Sequence, residues 1–289
     1  MANAATIYES QSSLEASFTD DTFQFFAGLV YEQSGIVIGA QKKNMMFSRL
    51  VRRVRQLGLK SFEDYCAFLR SPGGEGEIVA FINAMTTNLT KFFREEHHFE
   101  FLEETVIPEI IANKGQNRRR LRIWSAACSS GEEPYSIAIS LHRALPSLGD
   151  WDARILATDL DTNMVARAAE GSYPAEALKP VPQAARHAHF LTDPHKSNRL
   201  VACASLKSLI TFRALNLLGT WPMKGPFDAI FCRNVMIYFD NPTKARLVRR
   251  LADMLKPGGW LFIGHSETLL DHQDCLALRG RTIYQRIDG

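Results

Sequence analysis

No apolar run in the 289-residue chain is long enough to span a bilayer, which excludes direct membrane insertion through a helix. The start, MANAATIYESQSS, lacks the basic n-region and apolar h-region of a secretory leader, so a cytoplasmic protein is expected. Cysteine is sparse and unpatterned. Cys66, Cys128, Cys203, Cys232 and Cys275 are odd in number, scattered and free of any CxxC, which argues against a disulfide frame and a zinc site; most are expected to be small buried hydrophobes. The adjacent pair His97-His98 cannot present both rings to one ion from a helix, and no metal is expected. Internal repeats and low-complexity tracts are absent too. With 46% hydrophobic and 22% charged residues and a net charge of only +3, the chain can bury one large core and a smaller one.

A glycine-rich phosphate loop is also missing where one would be sought. Residues 121–136, LRIWSAACSSGEEPYS, read as a buried strand, a tight turn at Gly131 and the start of a helix, the opening of a nucleotide-binding α/β domain. Ser129 and Ser130 are good cap residues, and Pro134 is tolerated in a first helical turn. A pyrophosphate would need the positive end of that helix free of carboxylates, but Glu132 and Glu133 sit there. The loop therefore suits a ligand with ammonium, sulfonium and ribose groups, such as S-adenosylmethionine. The next apolar run, RILAT (154–158), ends in Asp159, placed either to accept from both ribose hydroxyls or to cap the helix that follows.

The chain divides by pattern. Residues 1–18 form a polar tail expected to be mobile, and 19–85 an all-helical domain with helices from Thr19, over 41–57, around 62–69 and over 78–85. Residues 86–120 read as linker and helix, and 121–289 as a catalytic α/β domain. Its strands are expected at 121–126, 154–158, 209–213, 227–232, 259–264 and 282–286, with Lys256-Pro257-Gly258-Gly259 as a turn. The long interval before 209, including the alternating LVACASL at 200–206, implies an inserted β-subdomain at about 172–208.

Five segments in order, TTNLTKFFREEHHF (86–99), WSAACSSGEEPYSIAI (124–139), ATDLD (157–161), FDAIFCRNVMIYFD (227–240) and LKPGGWLFIGHSE (255–267), resemble the motifs of CheR-type chemotaxis receptor glutamate O-methyltransferases over roughly residues 20–287. The resemblance implies a Rossmann-like methyltransferase sheet with a small inserted β-subdomain and an N-terminal all-helical domain. Its implied chemistry is S-adenosylmethionine-dependent methylation of glutamate carboxylates on the cytoplasmic helical bundle of a chemoreceptor. It nominates Arg94 and Tyr238 as catalytic, to hold the carboxylate. It nominates Asn88, Thr90, Arg94, Glu133, Asp159, Asn216, Leu217, Arg233 and Asn234 as cofactor-binding. For the lone Arg, Tyr and Asn residues the plainer alternative is surface, turn or cap chemistry. Glu267 in GHSE is left out of the site.

Between Glu32 and Glu63 there are seven cations and no acid. Such a run is often only a solvated face, but the resemblance implies docking of acidic receptor helices there, through Arg49, Arg52, Arg53 and Arg55. An RNA methyltransferase of the same fold would use these charges on phosphates; no base-flipping Asn-Pro-Pro-Tyr or Asp-Pro-Pro-Tyr motif supports it, and no nucleic-acid partner is expected. A non-catalytic cofactor-binding sensor would not need both Arg94 and Tyr238. Some family members tether to a C-terminal receptor pentapeptide through a glycine-bearing loop of the β-subdomain. Here that stretch, TDPHKSNR (192–199), has proline and no glycine, so independence from such a tether is expected.

Overall fold

The computed structural model describes residues 14–113, 119–145, 147–194, 196–269 and 274–287. They form two compact units, one of residues up to 87 with Tyr238–Asp240, the other of residues 88–237 and 241 onward.

The first unit is helical: α1 (Asp20–Ser34), α2 (Lys43–Gln56), α3 (Phe62–Arg70) and α4 (Glu75–Met85). Local chemistry sets the ends. Thr19 caps α1 by accepting from Thr22 N, Asp20 and Asp21 complement its first turn, and Ser61 caps α3 through Asp64 N. α4 begins at Glu75, three residues before the sequence expectation, because Pro72–Gly74 forms a 3-10 turn that leads straight into it. An aromatic cluster fills the core: Phe26 packs on Phe18, Phe62, Tyr65 and Phe81. Leu14 and Phe18, assigned to the tail from sequence, are buried in it; residues 1–13 of that tail lie outside the described residues.

The second unit opens with α5 (His97–Phe101), a π-helical turn over Leu102–Val106 and α6 (Ile107–Asn113). Then strands and helices alternate: β1 (Arg120–Ala126), α7 (Glu132–Ala144), β2 (Asp152–Asp159) and α8 (Thr162–Glu170), with β6 (Ile210–Ala214), β7 (Phe227–Cys232), α11 (Asn241–Met254) and β8 (Leu255–Ile263) beyond an insertion. The insertion is a separate three-stranded sheet, order β3-β5-β4, of β3 (Ser172–Pro174), β4 (Phe190–Asp193) and β5 (Lys196–Ala202), with α9 (Gln183–His189) and α10 (Ala204–Lys207). β9 (Leu276–Gly280) and β10 (Ile283–Arg286) close the chain as an antiparallel hairpin. The main sheet runs β6-β2-β1-β7-β8-β10-β9, parallel from β6 to β8, as expected of a methyltransferase sheet.

Three expectations shift. The 200–206 strand stops at Ala202 and its second half becomes α10. The 256–259 turn lies inside β8, where the register against β7 slips between Phe227 and Ala229 and Gly258 takes φ 71°. β9, short and with Leu278 exposed, gave no sequence signal.

Parallel strands put five C-terminal ends on one edge, the side where open α/β sheets bind ligands. The loops that follow them begin at Ala127, Leu160, Leu215, Arg233 and Gly264.

Candidate active site

The loop after β1 is built by backbone conformations that few residues adopt. Ala127 and Ser129 have φ 67° and 49°, and Gly131 has φ 99°. A Cβ on Gly131 would come within 2.7 Å of the Tyr173 hydroxyl and 2.9 Å of Ala168, so only glycine fits that turn. The bend turns Ser129 N onto Asp159 Oδ2 at 2.7 Å. Asp159 Oδ1 accepts from Asp161 N at 2.9 Å, and its carboxylate is buried. Burial pushes its pKa up against the Asp161, Ser129 and Leu160 amides that pull it down. The helix-cap alternative is settled: Asp161, not Asp159, caps α8, accepting from Asn163 N and Met164 N.

Asn88 joins this end of the site. Its Nδ2 donates to Asp161 Oδ2 at 2.8 Å and its carbonyl accepts from Ser129 Oγ at 3.0 Å. Thr90 is half-buried in the same segment. At the end of β6, Asn216 performs turn chemistry with its side-chain oxygen, which accepts from Leu218 N, and Leu217 is buried.

A second group surrounds Arg233, which is 5% exposed. Its guanidinium lies 3.0 Å from Glu133 Oε2 and 3.2 Å from Glu95 Oε2, donates to the Arg94 carbonyl and rests on the Phe99 ring. Glu133 also accepts from Ser125 Oγ at 2.7 Å; burial raises its pKa while Arg233 opposes the rise. Glu95 Oε1 accepts from His265 N at 3.2 Å, lies 2.9 Å from His265 Nδ1 and takes Asn234 Nδ2 at 3.3 Å. Burial would raise its pKa too, but Arg233 and these hydrogen bonds outweigh it and bring the value to about 2. His98, fully buried, bonds Thr282 Oγ1 through Nε2. Burial and then Arg233 hold it neutral, its pKa down to about 3.

Arg94 is half-buried and donates to the Leu89 carbonyl at 2.8 Å, in the same segment as Phe93 and Glu95, whose φ values are 51° and 59°. Tyr238 belongs to the helical unit, where its carbonyl accepts from Val37 N at 2.9 Å and Lys42 Nζ stands 5.7 Å from its ring.

Two of the four nominated docking arginines are engaged inside the helical unit. Arg49 donates to the Met85 and Thr86 carbonyls, closing the end of α4, and Arg53 pairs with buried Glu77. Arg52 and Arg55 are exposed.

The SAM-binding domain of CheR methyltransferases matches residues 88–284, and the all-alpha domain of the same family matches residues 21–86. The chain belongs to the CheR methyltransferase family. Among its relatives are the chemotaxis protein methyltransferase of Klebsiella aerogenes, 43% identical over 95% of this chain and 92% of that protein, and that of Escherichia coli, 42% identical over 95% and 93%. Chemotaxis protein methyltransferase 2 of Pseudomonas aeruginosa is 43% identical over 93% and 94%. The chain is thus a methyltransferase of the CheR type with an S-adenosylmethionine-binding domain.

The donor set fits that cofactor. Glu95 and Glu133 share one guanidinium, and Asp159 is held by amides rather than by a cation, so surplus negative charge gathers about the strand ends. That surplus favours a ligand bearing sulfonium and ammonium groups and disfavours a pyrophosphate. Among the described residues no three His, Cys, Asp or Glu side chains gather as a metal cage. No described helix is long and apolar enough to cross a membrane. Sequence reasoning missed Glu95 and His265. Glu95 stands in FREE, one residue after Arg94, and an acid beside a nominated arginine was the available signal.

Proposed function

We propose that this CheR-family enzyme methylates glutamate side chains on the cytoplasmic helical bundle of a chemoreceptor, forming methyl esters in the cytoplasm. The carrying observation is the acidic, buried edge of the sheet, where Arg233 pairs with Glu133 and Glu95, Asn234 donates to Glu95, and a strained loop turns Ser129 N onto Asp159.

S-adenosylmethionine supplies an electrophilic methyl group on a sulfonium. A glutamate nucleophile, with an ordinary pKa of about 4.3, is already ionised at neutral pH, so the chain needs no general base. Its task is alignment. Asp159 is proposed to accept from the ribose hydroxyls through lone pairs that Ser129 N and Asp161 N leave available. Asn88, Thr90, Glu133, Asn216, Leu217, Arg233 and Asn234 complete the cofactor shell in this reading. For Glu133 the structure favours an indirect part, since both its oxygens are engaged by Ser125 and Arg233. Arg94 is proposed to present its planar fork to the acceptor carboxylate, and Tyr238 to hold the acceptor or the cofactor through its phenol.

The basic α2 is proposed to dock the receptor through Arg52 and Arg55, the exposed members of the nominated set, with Arg49 and Arg53 shaping the helix beneath them. Independence from a C-terminal pentapeptide is proposed on the β4–β5 turn, where Asp193 pairs with Lys196 and no glycine is present. Saturable binding of such a peptide, lost on mutating β5, would end that part of the reading.

Radiolabelled methyl transfer to receptor-bearing membranes, with base-labile methanol as the mark of a carboxyl ester, tests the whole. Arg94→Ala and Tyr238→Phe should lower turnover more than cofactor affinity. Label in RNA and none in receptor would replace this reading by the nucleic-acid one.

A further inference from the structure

The backbone amides of the loop after β7 converge on a single carboxylate. Glu267 Oε1 accepts from Met236 N at 2.8 Å and Ile237 N at 3.3 Å; Oε2 accepts from Asn234 N at 3.0 Å and Gly264 N at 2.6 Å. The side chain is 6% exposed and, among the described residues, forms no ion pair. Burial pushes its pKa up, and these four amides pull it back down.

What those amides fix is an unfavourable conformation. Asn234 sits at φ 58°, in the left-handed region that a non-glycine residue occupies only when its surroundings impose it. Its side chain lies against Gly264, where a Cβ would come within 2.4 Å of Asn234 Nδ2. The turn that carries Glu267 is itself closed by Glu267 N donating to Gly264 O at 2.9 Å. The GHSE tetrapeptide therefore does two things to one residue: Gly264 makes room for the Asn234 side chain, and Glu267 anchors its backbone.

We infer that Glu267 is a positioning residue of the cofactor site, holding residues 233–237 in the turn that sets Asn234 and Arg233 at the edge of the sheet. It acts through Asn234, so the inference rests on the proposed reading of Asn234 as a cofactor contact. Glutamine cannot replace it: the amide offers one acceptor oxygen, and its NH2 would face two backbone N–H groups that need an acceptor. Aspartate is a methylene too short to reach both ends of the loop.

The test is calorimetric binding of S-adenosylmethionine to the full chain and to Glu267→Gln, Asn234→Ala and the double variant. Asn234→Ala should weaken binding, Glu267→Gln should weaken it about tenfold or more, and the double variant should be no weaker than the weaker single one, because both remove the same contact. Hydrogen exchange should rise at the 234, 236 and 237 amides in Glu267→Gln and stay at parent values along β7 and β8. A general loss of stability would give neither the non-additivity nor the local exchange. Parent-like binding by Glu267→Gln, or an additive double variant, overturns the inference. Parent-like binding by Asn234→Ala instead removes Asn234 from the site, a separate failure. If Glu267→Gln does not fold, Gly264→Ala carries the test: it displaces the Asn234 side chain with the carboxylate intact and should weaken binding non-additively with Asn234→Ala, and unchanged affinity overturns the inference.

Discussion

Each unit buries a carboxylate, and the two are put to different uses. In the helical unit Glu77, 7% exposed, accepts from Tyr65 Oη at 2.8 Å and Arg53 Nε at 2.9 Å. One acid meets one base and one phenol, and the group closes on itself. In the sheet unit one guanidinium serves both Glu95 and Glu133, while Asp159 and Glu267 lean on backbone amides. Backbone strain follows the same division. Among the described residues every non-glycine position with positive φ is in the sheet unit, and Phe93, Glu95, Ala127, Ser129 and Asn234 lie in the segments that carry the nominated cofactor residues. A buried charge is therefore weak evidence of a site. Unbalanced charge on strained backbone is the better mark, because nothing in folding alone calls for either.

Removing the cation from each group should break the symmetry. Arg233→Ala leaves two carboxylates without their shared guanidinium, Glu133 with only Ser125 and Glu95 with only His265 and Asn234, and should cost about 3–5 kcal/mol of stability by urea unfolding. Arg53→Ala leaves one carboxylate that still has Tyr65, beside a guanidinium with more solvent access, and should cost about 1–2 kcal/mol. Equal losses would mean the two clusters are the same kind of object. Asp159→Ala comes next: loss of hydrogen bonds to a charged acceptor should weaken S-adenosylmethionine binding about ten- to a hundredfold, roughly 1.5–3 kcal/mol, and unchanged calorimetry would take Asp159 out of the site.

A smaller effect is pH dependence from His98. The unfolded chain takes up that proton near the ordinary value of 6.5, but the folded chain only near pH 3, because burial and Arg233 both oppose the charge. Its contribution to stability is complete above pH 6.5 and is lost as pH falls toward 3, amounting to about 1 kcal/mol by pH 5.5. Glu95 acts in the same direction at lower pH, its contribution fading from the ordinary carboxylate range down toward about 2. Unfolding free energies of His98→Gln should show a flatter curve between pH 6.5 and 5; an unchanged slope would mean that the imidazole is not held neutral.

How far the sequence could be read depended on whether the information was local. β1, its turn and the acidic start of α7 were legible because the apolar run, Gly131 and Glu132-Glu133 are contiguous. The choice between Asp159 and Asp161 as helix cap was not, because both stand at the strand end and only the hydrogen bonds to Asn163 and Met164 separate them. Glu95 and Glu267 could not be placed, since their partners, Arg233 and the 234–237 amides, are brought to them by the sheet order and not by spacing. The partner of Arg53 was not legible for the same reason. Helical periodicity puts it on the polar face of α2 and says nothing of Glu77, 24 residues away.

The smallest expected effect concerns the charges of α2 that have no such partner among the described residues. Reversing Arg53 would confuse docking with the loss of its pair to Glu77, so the informative variant is Arg52→Glu/Arg55→Glu, whose side chains are exposed on the same helix. Exposed charges of this kind add little to stability, and unfolding should move by no more than about 0.5 kcal/mol. Long-range attraction of an acidic helical bundle, by contrast, depends on net surface charge and is screened over about 10 Å at 0.1 M salt. The double reversal should therefore slow receptor methylation a few-fold at low salt, converge on the parent rate at high salt, and leave cofactor affinity unchanged. Equal rates at low salt would reduce α2 to a solvated face, and a drop in cofactor affinity would show that the substitutions had reached the sheet unit.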